Sequence, residues 1–555
     1  MSVAAETLLH ELSGSCNADI FLGDIANYLS SPSGIDSIRR LILELAFAGG
    51  LSSDTQYPID CWETTTVGKL STRIQPGSAC GKQHQAAGGH VHLRTHNVST
   101  NGKLNFDLLI RVDPSKIDPK KSSIKRGDII FNNTNSQELV GKTCLVDEDY
   151  DFAFSNHLTL IRLDERVDSG FFVRYFELLL RNQVFFNLCN RWIGQAGIST
   201  KVLKQIEVQF PPLAEQKRIV AKVDSLMGLC DRLETQRSET LSLTDRSRRS
   251  VLASLTSSRD SQELASSWRR LSDHFEILHD RPETLADLRQ TILALAVQGK
   301  LVKQDPNDEP AESLVAQLAA RRRERAASGQ VRNVKLPPLT EKDLDGSVSK
   351  HWRWERLGNL IELMDSGWSP ACEPVPTVDE TEWGVLKTTA VQSFRFHPEE
   401  HKRLPSGLVP RPEAEAKVGD LLITRAGPQN RVGISCLIKS VRPRLMISDK
   451  IIRFHLLEGF LFDEFVALCL NAGVSQDHIE RSKSGMAASQ MNVSQSKLRL
   501  TPIPIPPLAE QKRIVAKVDR LLAQCDRVAA GLRDRQSTTE QLLTASIHRI
   551  LADQD

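Results

Sequence analysis

The segment PPLAEQKRIVAKVD at residues 211–224 occurs a second time, with all 14 positions identical, at residues 506–519. The similarity continues more loosely after it, where Leu226, Cys230, Asp231 and Arg232 match Leu521, Cys525, Asp526 and Arg527. A match of this length does not arise by chance. The chain therefore contains an internal repeat, which decides the fold before any other feature is considered.

Two further pairs extend the repeat towards the N-terminus. IRRLILELAFAGGL at 38–51 resembles LRQTILALAVQGKL at 288–301, and CWETTTVGKL at 61–70 resembles HWRWERLGNL at 351–360. The order is a short helix, a globular segment and a long helix, and then the same three again. The second copy has extra residues between its short helix and its globular segment, which we interpret as a linker with one short basic helix.

The repeated helices have the spacing of a coiled coil. Their apolar residues alternate by four and three positions, which is typical of a packed seam. The predicted seam residues are Ile219, Val223, Leu226, Cys230 and Leu233 in the first copy, and Ile514, Val518, Leu521, Cys525 and Val528 in the second. Gly49 and Gly299 are expected just past the short helices, and Pro212 and Pro507 in the first turn of the long ones. A helix from Pro212 to about Leu255 would be about 66 Å long.

The globular segments mix strands and helices. Strands are predicted at 128–131, 159–163 and 420–423, and helices at 171–189 and 463–471. The predicted fold class is therefore α+β: two α+β domains separated by long, antiparallel, coiled-coil-like helices, in an internal tandem repeat with pseudo-two-fold symmetry.

The predicted organisation has eight segments. They are an N-terminal extension at 1–34, a short helix at 35–51, the first globular domain at 52–210, the central long helix at 211–257, a linker with the second short helix at 258–301, a linker with a basic helix at 302–350, the second globular domain at 351–505, and the C-terminal long helix at 506–555.

Composition limits the class of protein. Of 555 residues, 40% are hydrophobic and 25% charged, and the net charge of +2 excludes a histone-like polycation. No apolar run is long enough for a membrane span, and the N-terminus lacks the basic-flanked apolar core of a secretory signal. The 10 cysteines form no C-x-x-C pair, so we expect reduced thiols in the cytoplasm.

No catalytic or metal motif is found. Gly141-Lys142-Thr143 ends like a phosphate-binding loop, but Ser136 stands where that loop needs its first glycine. Cys80, His84, His90, His92 and His96 are close in sequence, yet the second copy has no counterpart, so we expect polar surface residues and no metal. We expect no catalytic residues in this chain.

The doubled PPLAEQKRIVAKVD, the block LRQTILALAVQGKLVKQDPNDEPA at 288–311 and the two tryptophan-bearing openings resemble the specificity subunits of type I restriction–modification systems. The resemblance covers nearly the whole chain. The first copy departs from it at 52–54, where Ser-Ser-Asp replaces Val-Lys-Gln, and it lacks DPNDEP.

The resemblance implies a noncatalytic subunit with two target-recognition domains, each reading one half of an asymmetric, bipartite site in double-stranded DNA. Two methyltransferase (modification) subunits would dock on it and methylate adenine with S-adenosylmethionine. Restriction subunits, which are translocases that use ATP and Mg, would complete the complex. No cofactor is expected on this chain.

Base readout needs Arg, Lys, Asn, Gln, Ser or Thr on loops, together with other polar donors. The candidates in the first domain are Lys82, Gln83, His84, Arg94, His96, Asn97, Asn132, Asn133 and Asn135, and those in the second are Lys387, Thr388, Arg425, Gln429, Asn430, Arg431, Lys483 and Gln490. For each candidate the alternatives to base readout are a solvated loop residue and a phosphate contact. A phosphate contact positions the protein on DNA without reading the base sequence. Arg431→Ala separates these: a base reader relaxes one position, and a phosphate contact weakens all sequences equally.

Two other functions are alternatives to DNA recognition. A fused methyltransferase or nuclease would need cofactor motifs that this chain does not show. A noncatalytic structural adaptor that bridges two protein partners fits the duplicated helices, but it has no need for two globular segments that differ. DNA recognition therefore remains the leading hypothesis.

Overall fold

A computed structural model describes residues 3–13, 28–29, 31, 33–51, 59–118, 123–331, 334–344, 349 and 351–552. The chain divides into two compact units: residues 1–242 with 534–555, and residues 243–533. The predicted departure at 52–54 lies outside the described residues.

The α-helices of the described residues include two of 45 residues, each about 68 Å long. In chain order they are α1 Val3–Ser13, α2 Gly34–Phe47, α3 Val67–Leu70, α4 Ser169–Arg181, α5 Val184–Leu188, α6 Thr200–Gln205, α7 Leu213–Ser257, α8 Ser261–Asp273, α9 Phe275–Leu278, α10 Leu285–Val297, α11 Ala311–Ala327, α12 Leu357–Leu360, α13 Asp463–Leu470, α14 Gly473–Ser482, α15 Gln495–Arg499 and α16 Leu508–Ala552.

The strands are short and fall into the two globular segments. In the first they are β1 Glu63–Thr66, β2 Ser71–Pro76, β3 Gln85–Leu93, β4 Arg111–Val112, β5 Ile129–Asn132, β6 Thr134–Asn135, β7 Thr143–Leu145, β8 Ala153–Phe154, β9 Leu158–Leu163, β10 Asn190–Trp192, β11 Gln195–Gly197 and β12 Glu207–Phe210. In the second they are β13 Arg353–Arg356, β14 Ile361–Ser366, β15 Gly384–Leu386, β16 Val391–Gln392, β17 Arg395–Phe396, β18 His401–Arg403, β19 Leu421–Thr424, β20 Ala426–Gly427, β21 Ser435–Leu437, β22 Leu445–Met446, β23 Ile451–Leu456, β24 Met491–Asn492 and β25 Pro502–Ile505.

The two domains share three sheets of the same topology. Each centres on a four-stranded antiparallel sheet, β2-β9-β5-β7 in the first and β14-β23-β19-β21 in the second. Each adds a three-stranded sheet with one parallel pair, β3 with β8 and β15 with β22. The strand that opens each domain pairs with the strand that closes it, β1 with β12 and β13 with β25. The α+β class and the internal repeat are therefore confirmed.

The helix predicted at 171–189 is interrupted. It ends at Arg181, and Gln183 adopts a left-handed conformation with φ 58° before α5 begins. The turn lets Phe185 pack edge-on against Phe131, with 5.5 Å between ring centroids. A Cβ on Gly141 would lie 2.2 Å from the Phe185 ring, so the neighbouring loop requires glycine there. Long-range packing thus overrides the local helical pattern.

The identical segment anchors each long helix to its own domain. The Gln216 side-chain amide donates to the Pro211 carbonyl at 2.8 Å, and its oxygen accepts from the Asp168 N–H at 2.7 Å. Gln511 makes the same pair of contacts, with Pro506 at 3.0 Å and Phe462 at 2.9 Å. Both glutamines are fully buried. Each helix begins one residue after the predicted proline, whose carbonyl accepts from the buried glutamine's N–H.

The seam residues lie in the two cores. All five of the first copy are buried, as are Ile514, Val518 and Cys525 of the second, while Leu521 and Val528 are half-buried. The last turns of α16, at Leu543 and Ile547, pack into the core of the first unit, and the end of α7, at Leu252 and Leu255, packs into the core of the second. Each unit thus contains the first part of one long helix and the last part of the other.

Other features of the chain bear on its class. Gly49 (φ 81°) and Gly299 (φ 71°) follow the short helices as predicted. The nine cysteines that the structure describes are all free. Among the described residues, no helix has the length and apolarity needed to cross a membrane.

Candidate nucleic-acid interface

In each domain a loop at the end of the central sheet joins a second, distant loop. In the first domain β6, which directly follows the β5 strand, pairs with β11, so that Asn135 lies opposite Ala196. In the second, β20 follows β19 and pairs with β24, so that Ala426 lies opposite Asn492. The same topological position therefore brings together residues 133–135 with 190–198, and residues 425–431 with 483–492.

In the first domain the loop after β5 is built from asparagines. The Asn133 amide donates to the Thr159 hydroxyl at 2.8 Å, and the Asn133 carbonyl accepts from the Ile198 N–H at 2.9 Å. The Asn135 side chain accepts from the Ser136 N–H at 2.8 Å. Asn132 is fully buried at the end of β5, and neither polar atom of its side chain has a partner.

In the second domain the corresponding loops carry six of the predicted residues. The Gln429 N–H donates to the Ala488 carbonyl at 2.7 Å, and Lys483 donates to the Gln429 carbonyl at 2.8 Å. Lys483 also pairs with Glu480. The Arg425 carbonyl accepts from Val493, while Asn430 and Gln490 are exposed. Hydrogen bonds thus link the two loops to each other.

Several cations here are held by carbonyls rather than by carboxylates. Arg94 donates to the Cys80 carbonyl at 2.7 Å, Lys142 to the Thr95 carbonyl at 2.9 Å, and Arg431 to the Thr388 and Val391 carbonyls at 2.8 Å. In the described part of the chain, none of the three forms an ion pair with a carboxylate. Burial lowers the pKa of each. Such uncompensated positive charge attracts an anionic ligand.

The other predicted residues are distributed as follows. Lys82, Gln83 and His84 form a short 3-10 helix before β3, with the two longer side chains exposed. His96 is exposed, whereas Asn97 is fully buried and its amide donates to the Asn105 and Leu108 carbonyls.

In the second domain, Lys387 pairs with Glu400 at 3.4 Å, and the neighbouring Thr388 carbonyl accepts from Arg431. Arg431 also donates to the Gln392 side chain. These internal contacts favour structural roles for Asn97 and Arg431, and their base readout stays a prediction.

Sequence reasoning missed three residues of this surface. Arg191, Trp192 and Ile193 lie in an exposed hairpin. The amino-acid composition around these loops could have indicated them. Residues 182–206 and 481–509 contain no Asp or Glu, but they contain Arg191, Lys201 and Lys204, and Arg481, Lys483, Lys497 and Arg499, respectively.

His92 of the first domain is buried, so the prediction that it is a polar surface residue was wrong. His92 is buried in β3, its Nε2 lies 3.2 Å from the Ser78 carbonyl, and burial lowers its pKa to about 4. Among the described residues, no group of three or more His, Cys, Asp or Glu side chains is placed to hold a metal ion.

This fold and these paired loops define a class: an internally duplicated protein with two α+β domains, each joined to a long helix and each presenting a polar, basic loop surface. A family model described as the type I restriction modification DNA specificity domain matches residues 93–243 and 430–534, one match in each copy. Each copy of the repeat is therefore similar to the type I restriction modification DNA specificity domain.

Individual specificity subunits are also similar to the chain in sequence. The chain is 44% identical over 353 residues to the type I restriction enzyme EcoEI specificity subunit of Escherichia coli, covering 63% of this chain and 59% of that protein. It is 28% identical over 356 residues to the E. coli EcoAI specificity subunit, with the same coverage. The chain thus spans about three fifths of the length of these relatives. A chain from a solved type I R-M system is 19% identical, with a TM-score of 0.49, and the match covers 88% of this chain and 97% of that one.

Proposed function

We propose that this chain is the DNA sequence-specificity subunit of a type I restriction–modification complex. Its two target-recognition domains bind the two halves of an asymmetric, bipartite DNA site. By this binding the chain directs adenine methylation, and restriction, by partner subunits. It acts in the cytoplasm.

One observation carries this proposal: the scaffold contacts are the same in both copies, whereas the loops that meet at the domain surface differ. The buried glutamine contacts the equivalent backbone groups twice. At the equivalent loop positions, however, Asn133-Thr134-Asn135 in the first domain corresponds to Arg425-Ala426-Gly427 in the second. Two surfaces of equal placement and unequal chemistry suit two different half-sites, because base edges are distinguished by the donors and acceptors that meet them.

The chemistry is assigned to partners. Two modification subunits would bind S-adenosylmethionine, extrude the target adenine and methylate it. Restriction subunits would use ATP and Mg. The specificity subunit itself supplies position: its cations contact phosphates, and its loop side chains contact base edges.

Long-read methylome sequencing of the host, with and without this gene, tests the proposal. We expect methyladenine at one bipartite motif, on both strands, to disappear with the gene. An unchanged methylome, together with a pull-down that recovers two proteins but no DNA, would instead favour the structural adaptor.

A further inference from the structure

Both domains expose an apolar side chain in the same peripheral loop. In the first domain β10 and β11 form a hairpin in which Trp192 lies opposite Gln195, so Ile193 and Gly194 make the turn. Ile193 is fully exposed, and Trp192 is 60% exposed. In the second domain the corresponding loop is closed by the bridge between Ser484 and Asn492, and Met486 in this loop is fully exposed.

Single exposed apolar residues are ordinary on protein surfaces, but this pair occupies one topological position in two domains whose loops otherwise differ. The hairpin is also well ordered by its contacts. The Trp192 ring lies over Gly197, where a Cβ would be only 3.0 Å from the ring. Gly194, with φ 77°, lets the turn close in two residues. The fold therefore holds the apolar tip outward.

The charge around these tips is suited to nucleic acid. Arg191 lies in β10 beside the tip, with its guanidinium 5.5 Å from the centre of the Phe186 ring. Lys201 and Lys204 follow, and residues 182–206 contain no carboxylate that would repel phosphate. The same absence of Asp and Glu holds for 481–509 around Met486. Glu480 lies just before this stretch and pairs with Lys483, and the remaining charged residues of both stretches are basic.

The dimensions of the hairpin also fit the major groove of DNA. Neighbouring strands lie about 4.8 Å apart, and the major groove of B-DNA is about 12 Å wide, so a two-stranded ribbon enters it. In that groove an apolar side chain distinguishes thymine by contact with its methyl group. The predicted readers Asn133 and Asn135 stand at the base of the same hairpin.

We propose that the hairpin at 190–197 enters the DNA major groove, where Trp192 and Ile193 read bases of one half-site, and that the loop at 484–492 does the same with Met486 for the other half-site. This inference rests on the proposed function and deepens it. The tips are specificity-determining elements, and Arg191 contacts the phosphate backbone beside them.

The test uses the whole complex in its host. Ile193→Ala, Trp192→Ala and Met486→Ala are expressed in place of the wild-type chain, and methylated motifs are determined by long-read sequencing. Val409→Ala is the matched control, because Val409 is 83% exposed elsewhere in the second domain. Ile193→Ala and Trp192→Ala should each reduce discrimination at one base pair of one half-site, on the order of tenfold. Met486→Ala should do so in the other half-site, and Val409→Ala in neither.

The possible outcomes distinguish a failure of the proposed function from a failure of the hairpin inference. If the host that expresses the wild-type chain has no bipartite methylated motif, the proposed function itself is contradicted. A wild-type motif whose two halves are unchanged by all three variants overturns only the hairpin inference. So does a uniform loss of methylation at an unaltered motif, and so does loss of the modification subunit from the purified complex, which would mean that the tips dock a protein.

Discussion

At the scale of single residues, each copy has a buried carboxylate at the equivalent position, and the two copies stabilise it with different partners. Asp128 and Asp420 are each about 1% exposed, and each accepts from the N–H three residues earlier at 2.8 Å. Asp128 is paired with Arg162, whose Nε lies 2.6 Å from its carboxylate. Asp420 is paired with His455 at 2.6 Å, with the Arg453 guanidinium at 3.6 Å. A buried carboxylate needs such partners, since an unpaired one is costly.

This difference predicts a pH dependence that belongs to the second domain. The hydrogen bond to Asp420 raises the pKa of His455 above 6.5. The protonated histidine therefore stabilises the fold fully below about pH 6.5, and this contribution is lost as the pH rises through the raised folded pKa. Because the His455 side chain is 43% exposed, we expect a loss of about 1 kcal/mol or less.

Chemical unfolding of the full chain from about pH 6 to 8.5 measures this loss. His455→Arg copies the first domain and should flatten the curve, since arginine does not titrate there. A curve of equal slope in His455→Arg would contradict the assignment.

At the scale of elements, the identical 14-residue segment is explained by what its helix must do. Its apolar residues form the seam, and its buried glutamine ties the first turn to the loop before the domain's helix, at Asp168 in one copy and Phe462 in the other. Since both contacts are to backbone groups, the neighbouring domain sequence is free to differ while the glutamine is not.

Removing this anchor should weaken the domain that it serves. Gln511→Ala leaves the Phe462 N–H and the Pro506 carbonyl without their partner, which should cost about 2 kcal/mol. Gln216→Ala should have the same effect in the first unit. Urea unfolding measures it, with Lys512→Ala as the control because Lys512 is exposed on the same turn. An equal shift for Lys512→Ala and Gln511→Ala would mean that the glutamine is not an anchor.

At the scale of the whole molecule, the long helices are expected to set the distance between the two half-sites. Half-sites one turn of DNA apart are about 34 Å from each other, less than the length of either helix. The exposure of the residues along α7 indicates where the length of this helix can be changed. The seam between Ile219 and Leu233 is buried, whereas residues 234–247 of α7 are mostly exposed or half-buried.

An insertion of about seven residues, two helical turns, after Ser238 in α7, with a matching insertion after Arg533 in α16, should therefore lengthen the nonspecific spacer and leave both half-sites unchanged. Methylome sequencing reads the spacer directly. An insertion within the 219–233 seam is the control, and it should disrupt folding instead. Altered half-sites with an unaltered spacer would contradict the hypothesis that the long helices set the distance between the half-sites.

The amino-acid sequence by itself determined the duplication, the α+β class, the long helices and the glycines that follow the short ones. These follow from identity between copies and from periodic apolar patterns, which are local and survive any tertiary arrangement. Only the tertiary structure decided which polar residues reach the surface. It buries Asn97 and uses Arg431 internally, breaks the helix at Gln183 to seat Phe185, and pairs 134–135 with 195–197 across a long stretch of chain. Such outcomes depend on contacts between residues far apart in sequence, which no local pattern contains.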